Sequence, residues 1–128
     1  MSIKVYFIGA GPGDIDLITV KGKKILEKVD VVIYAGSLIN TKILNSCKKS
    51  SKLFDSAGMT LEEIMDIIIK TCEDNKTVAR LHSGDPSLYG AIAEQIKILE
   101  KRNIKYKVIP GVSSFQAAAA SLGIEYTV

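Results

Sequence analysis

The run Val31-Val32-Ile33-Tyr34 is apolar at every position, and a strand without alternation has no face to turn toward water. It must be covered on both sides, as in a parallel sheet with helices above and below it. The preceding chain supplies matching parts. Ile3, Val5, Phe7 and Ile8 form a β-rich run that stops at Gly9, and Ile18, Ile25, Leu26 and Val29 then recur at helical spacing, with Gly22 allowing close approach on the same side.

Residues 37–51 are polar and weakly periodic, and a short helix at Lys42 to Cys47 and a short strand at Lys52 to Asp55 are predicted there. Thr60 and Glu63 have the spacing of a capping box, with Met59 and Ile64 as a hydrophobic staple. They open a helix whose expected buried stripe is Leu61, Ile64, Met65, Ile68 and Cys72. A strand at Thr77 to Leu81, a helix marked by Leu88, Ile92, Ile96 and Leu99, and a strand at Lys105 to Ile109 follow. Ser114 to Leu122 is a last helix, closed by Gly123. The alternation predicts an α/β fold, a mostly parallel sheet with helices on both faces. Its 128 residues suffice for one cooperative core.

A content of 47% hydrophobic and 24% charged residues is that of a globular protein and excludes disordered, collagen-like and coiled-coil chains. The longest unbroken apolar run, Val31 to Ala35, is far too short to span a bilayer. The first residues lack a small-residue cleavage pattern, so a cytoplasmic protein without membrane partners is expected. Cys47, Cys72 and His82 share no ligand spacing, which leaves reduced thiols and no metal site as the expectation. The net charge of +3 is unevenly spread. Lys21 to Lys52 holds eight lysines against Glu27 and Asp30, or +6, and the remainder is −3. A solvated face is the ordinary use of such lysines, and attraction of a small polyanion is the sharper one. No nucleic-acid motif and no basic-aromatic interleaving accompanies them, so nucleic acid is not an expected partner.

In open α/β sheets ligands bind beyond the carboxyl ends of the strands, which selects the loops Gly9 to Asp14, Ser83 to Pro86 and Pro110 to Ser114. The first begins like a dinucleotide fingerprint, but Asp14 replaces the third glycine and Ala35-Gly36 stands where a ribose-binding carboxylate belongs. In the second, Asp85 and Pro86 read as N-cap and first helical residue. Gly84 would let backbone approach a ligand, and the adjacent carboxylate suits an ammonium group better than a phosphate. His82, alone at a strand end, is more commonly hydrogen-bonded than functional. In the third, Ser113 or Ser114 caps a helix, or their hydroxyls and the free amides hold a carboxylate. No serine sits in a nucleophile elbow, which disfavours a hydrolase triad.

Taken together, Gly9-Ala10-Gly11-Pro12-Gly13-Asp14 with Asp16 to Gly22, Gly84-Asp85-Pro86-Ser87-Leu88-Tyr89-Gly90, and Val108 to Ser114 resemble the tetrapyrrole (corrin/porphyrin) methylase family. The segments Tyr34 to Leu38, Ser56 to Met59 and His82 to Ile92 are most similar to members that methylate a ring carbon of a corrin precursor. The resemblance implies two α/β domains with S-adenosylmethionine held between them. It implies that Pro12, Ser83, Gly84, Asp85, Leu88, Ser113 and Ser114 are the donor contacts of this half. Residues 1–128 would be the N-terminal domain, with the C-terminal domain absent, and such a half would be inactive alone. An anionic tetrapyrrole substrate and a homodimer are further implications. Sister enzymes acting on uroporphyrinogen carry an acidic residue after the tyrosine of the second strand. Ala35 stands there, so no catalytic base is assigned. The competing expectation is a binding-only domain for a nucleotide or small ligand, using the same strand ends.

Overall fold

The computed structural model describes residues 2–127. Five strands, β1 (Val5–Gly9), β2 (Val31–Tyr34), β3 (Lys52–Asp55), β4 (Val78–His82) and β5 (Tyr106–Ile109), form one parallel sheet in the order β3-β2-β4-β1-β5. The register places Val5 beside both Val78 and Tyr106, and Val31 beside both Val78 and Lys52. The four helices are α1 (Val20–Leu26), α2 (Leu61–Glu73), α3 (Ile92–Lys101) and α4 (Ser114–Leu122). Two 3₁₀ turns, Ile15–Leu17 and Thr41–Ser46, complete the order, and no described helix is long and apolar enough to cross a membrane.

The sheet is sandwiched as the run Val31 to Tyr34 requires. Val5, Phe7, Val31, Ile33 and Val78 pack with Ile64, Met65 and Ile68 of α2 and Leu99 of α3 on one face. Ile8, Val32, Ala79 and Leu81 pack with Leu26 at the end of α1 and Ile43 of the second 3₁₀ turn on the other. Connections running toward β3 therefore lie on one face and those running toward β5 on the opposite face, as a single handedness of crossover demands. The neighbours β1 and β4 send their chains to opposite sides, so the crevice between their carboxyl ends is the switch point of the sheet.

Local chemistry accounts for most element ends. Thr60 Oγ1 accepts from the Glu63 amide and Glu63 Oε1 from the Thr60 amide, both at 3.1 Å, completing the capping box of α2. Thr19 caps α1 by accepting from the Gly22 amide at 3.0 Å, and Gly123 ends α4 with a left-handed φ of 65°.

Three expectations need correction. α1 is shorter than the stripe of Ile18 to Val29, because Thr19 begins it after a 3₁₀ turn. Leu61, at the first turn of α2, is 37% exposed rather than core. Most important for the site, no helix starts at Pro86. Residues 86–89 form a turn, Tyr89 and Ala91 take left-handed φ values of 60° and 51°, and α3 begins at Ile92. Leu88 therefore leaves the helical stripe and is partly exposed in the turn.

Candidate functional site

The three loops chosen from the sequence meet at the switch point. Beyond β1, Ala10 donates its amide to the His82 carbonyl at 2.7 Å. Gly11 and Gly84 exchange amide-to-carbonyl bonds of 3.2 and 2.8 Å. The Gly84 carbonyl is the wedge of this junction. A Cβ on Gly9 would lie 2.5 Å from its oxygen and one on Gly111 would lie 2.2 Å from it. Gly9 and Gly111 are therefore required by backbone packing against Gly84, and Gly84 by its own left-handed φ of 61°.

Asp85 binds the second loop to the third. Oδ1 accepts from the Gly111 amide at 2.8 Å, and Oδ2 accepts from the Ser87 amide at 2.9 Å and from the Ser87 hydroxyl. Burial raises its pKa, but the Ser87 hydroxyl and the Gly111 and Ser87 amides outweigh that, leaving it below the ordinary aspartate value. The carboxylate thus caps a turn and a neighbouring strand end in place of the expected helix. Asp14 is likewise spent locally, accepting from the Asp16 amide at 2.9 Å. Asn40 Nδ2 donates to the Gly13 carbonyl at 3.0 Å, fastening the segment after β2 onto the first loop.

Between these loops lies an open cleft of about 420 Å³, a size suited to a small organic ligand. Pro12 of the first loop, Ser83, Gly84, Asp85 and Leu88 of the second, and Ser113 and Ser114 of the third all line it. The sheet brings together all seven residues singled out from the sequence. Ser113 is the N-cap of α4, buried, with its amide donating to Gln116 Oε1 at 3.1 Å. Leu38, Leu88 and Phe115 give the cleft apolar walls. None of the eight lysines between Lys21 and Lys52 lines it. Ala35 does.

Sequence reasoning missed Arg80. Val78, Arg80 and His82 alternate with Ala79 and Leu81, which places Arg80 and His82 on the face covered by α2 and α3. The signal was available, since an arginine inside a strand buried on both faces demands an explanation. His82 is 8% exposed, its ring centroid lies 6.0 Å from that of Phe7, and its Nε2 has no hydrogen-bond partner. Burial, reinforced by the charge of Arg80 and opposed by Asp85, pushes its pKa down to about 4. The imidazole is neutral at pH 7.

A parallel sheet whose switch point carries these three loops defines a class. Residues 4–128 match the family model for Tetrapyrrole (Corrin/Porphyrin) Methylases, and the chain belongs to that family. The cobalt-precorrin-4 C(11)-methyltransferase of Methanocaldococcus jannaschii is 56% identical over 124 residues, covering 97% of this chain and 48% of its own. The solved structure of a cobalt-precorrin-4 methyltransferase, a cobalamin biosynthetic enzyme, superposes with a TM-score of 0.94 at 45% identity, over 98% of this chain and 52% of its own. A uroporphyrin-III C-methyltransferase from Thermus thermophilus, solved with S-adenosylhomocysteine, superposes with a TM-score of 0.76 at 28% identity. That match covers 91% of this chain and 48% of its own. The chain spans about half the length of the relatives it matches.

Proposed function

We propose that residues 1–128 are the N-terminal α/β domain of an S-adenosylmethionine-dependent methyltransferase. Its reaction is methylation of ring carbon 11 of precorrin-4, or of its cobalt form, in cobalamin biosynthesis. The observation that carries this reading is the convergence of the three loops on one cleft, in a chain 56% identical to a relative of that name. The cleft fits the donor. It combines a serine-rich helix start, apolar walls and backbone carbonyls, and its histidine is uncharged, which leaves Arg80 as the one fixed cation of its lining.

On this reading Pro12, Ser83, Gly84, Asp85, Leu88, Ser113 and Ser114 are the donor contacts. Ser113 and Ser114, at the start of α4, suit the donor carboxylate, Ser114 through an amide without an intrahelical partner and Ser113 through its hydroxyl, since its own amide is taken by Gln116. Leu38, Leu88 and Phe115 keep water from the reacting methyl. Asp85 keeps the second and third loops in register, so that both sides of the cleft are fixed before the ligand arrives. When bound, S-adenosylmethionine supplies an already activated methyl group. The remaining task of the protein is alignment of the two reactants and exclusion of water. No described residue is assigned as proton acceptor. The second wall of the cleft comes from a second domain, and the working enzyme is a cytoplasmic homodimer acting on an anionic tetrapyrrole.

The test is methyl transfer by the full-length protein from methyl-labelled S-adenosylmethionine to cobalt-precorrin-4, with carbon NMR locating the label. Label on carbon 11 is expected. Transfer only to uroporphyrinogen III would assign the sister activity, and donor binding without transfer to either would leave a binding domain.

A further inference from the structure

We infer that Arg80 is a carboxylate-binding residue of the cleft, either receiving an acidic side chain of the tetrapyrrole or joining Ser113 and Ser114 at the carboxylate of the methyl donor. The inference rests on the methylase reading, which supplies two candidate acids, the side chains of the tetrapyrrole and the amino-acid end of the methyl donor.

Arg80 stands on β4 between the buried Ala79 and Leu81, yet no carboxylate of the described residues lies within ion-pair distance of it. The single ion pair among those residues is Lys48 with Asp30. Arg80 Nε reaches Gln95 Oε1 at 3.4 Å and Nη1 reaches the Ile33 carbonyl at 3.5 Å. Both contacts are long for an N–H donor and both acceptors are neutral. A guanidinium offers five N–H donors, so most of its capacity is unused.

The surroundings do not compensate. Asp85 is the carboxylate that shares the cleft with Arg80, and both of its oxygens already accept from Gly111 and Ser87. Gln95 is 2% exposed and holds its own amide nitrogen on the Ala91 carbonyl at 3.3 Å. His82 is uncharged at neutral pH, so Arg80 is the one fixed cation among the residues lining the cleft. Arg80 is half-buried, and that burial depresses its pKa, as it does for a charge partly withdrawn from water without an anionic partner. Such a charge is costly to keep. An incoming carboxylate would offset that cost with two parallel N–H···O bonds, a geometry that guanidinium matches and ammonium does not.

The test uses the full-length protein with Arg80→Gln and Arg80→Lys. Uroporphyrin III, a tetrapyrrole polycarboxylate, is titrated by fluorescence and S-adenosylhomocysteine by calorimetry. Arg80→Gln is expected to weaken one ligand by about tenfold or more while leaving the other within about twofold. Arg80→Lys should fall between, because it keeps the charge and loses the fork. The ligand that weakens names the source of the carboxylate. The thermal midpoint of Arg80→Gln should equal or exceed the wild type, since the substitution removes a half-buried charge without an anionic partner. Unchanged affinity for both ligands in both variants would overturn the inference. A variant that fails to fold or melts early would overturn it as well, by making Arg80 a structural residue. A wild-type protein that binds neither ligand sinks the methylase reading itself, before any variant is compared.

Discussion

At the amino ends of the strands Asp30 does what Asp85 does at the carboxyl ends, and only the second place adjoins a junction of touching glycine backbones. Asp30 accepts from Lys48 Nζ at 2.8 Å and from the Thr77 amide and hydroxyl at 2.9 and 3.2 Å. Asp85 accepts from Gly111 and Ser87 in the same manner. The amino end even has hollows of equal size, about 410 Å³ beside Asp30 and Lys76 and about 460 Å³ beside Lys4 and Arg102. Volume therefore does not distinguish the ends. What differs is that three glycine backbones touch at the carboxyl end, where the chains leaving β1 and β4 part to opposite faces. The comparison teaches that an aspartate tie stabilises either end, whereas glycine packing at a switch point makes a cleft.

The largest effect should come from breaking the glycine junction. Gly111→Ala sets a Cβ 2.2 Å from the Gly84 carbonyl, backbone that cannot step aside. A loss of about 3 kcal/mol is expected in urea unfolding of this chain. Thr77→Val at the opposite end removes one hydroxyl bond to Asp30 and should cost only about 1 kcal/mol. Equal losses would show that the two ends are built alike.

Next in size is the response to acid. His82 is neutral in the folded chain with a pKa of about 4, against 6.5 when free. The unfolded chain takes up its proton first, so the stability due to this group is complete above pH 6.5 and is lost as pH falls toward 4. The loss should approach about 3 kcal/mol. Thermal melts between pH 7 and 4 should show it in the wild type and not in His82→Gln. Asp30, Asp55 and Asp85, all with lowered values, add their losses only at lower pH. A flat profile for the wild type above pH 4 would mean that His82 is not held neutral.

Asp30→Ala and Asp85→Ala should each cost about 1 kcal/mol, as losses of part-exposed ties. They should differ in function. In the full-length protein Asp85→Ala is expected to weaken S-adenosylhomocysteine in calorimetry, and Asp30→Ala to leave it unchanged. Parallel behaviour would erase the distinction between the ends.

The smallest effect concerns the lysines. Replacing Lys21, Lys24 and Lys28 with glutamine should slow tetrapyrrole association in stopped flow only at low ionic strength, because none of them lines the cleft. Equal rates at low salt would reduce them to a solvated face.

Much of this was legible in the sequence. The unalternating run at Val31 to Tyr34 demanded cover on both faces, and Thr60 with Glu63 marked the start of α2 to the residue. The carboxyl-end rule selected loops that meet in space. The role of Asp85 was not legible, because Asp-Pro reads as a helix start and the competing donor, the Gly111 amide, is 26 residues away. Gly9 read as the residue that stops the first strand and Gly111 had no reading of its own, and the approach of the Gly84 carbonyl explains both. Arg80 passed unnoticed because strand periodicity scores its apolar neighbours and is silent on an unpaired charge between them.

The central claim is that the donor is held at the glycine-lashed carboxyl ends and that this chain supplies one wall of its site. The direct measurement is a titration of the isotope-labelled 128-residue chain with S-adenosylhomocysteine, followed amide by amide by NMR. Weak, saturable binding is expected, with a dissociation constant of about 1 mM. The shifts should be largest at Gly11, Gly84, Ser113 and Ser114 and absent at Asp30 and Thr77. Shifts centred on the amino ends, or none at the carboxyl-end loops at ligand concentrations well above that value, would contradict the account.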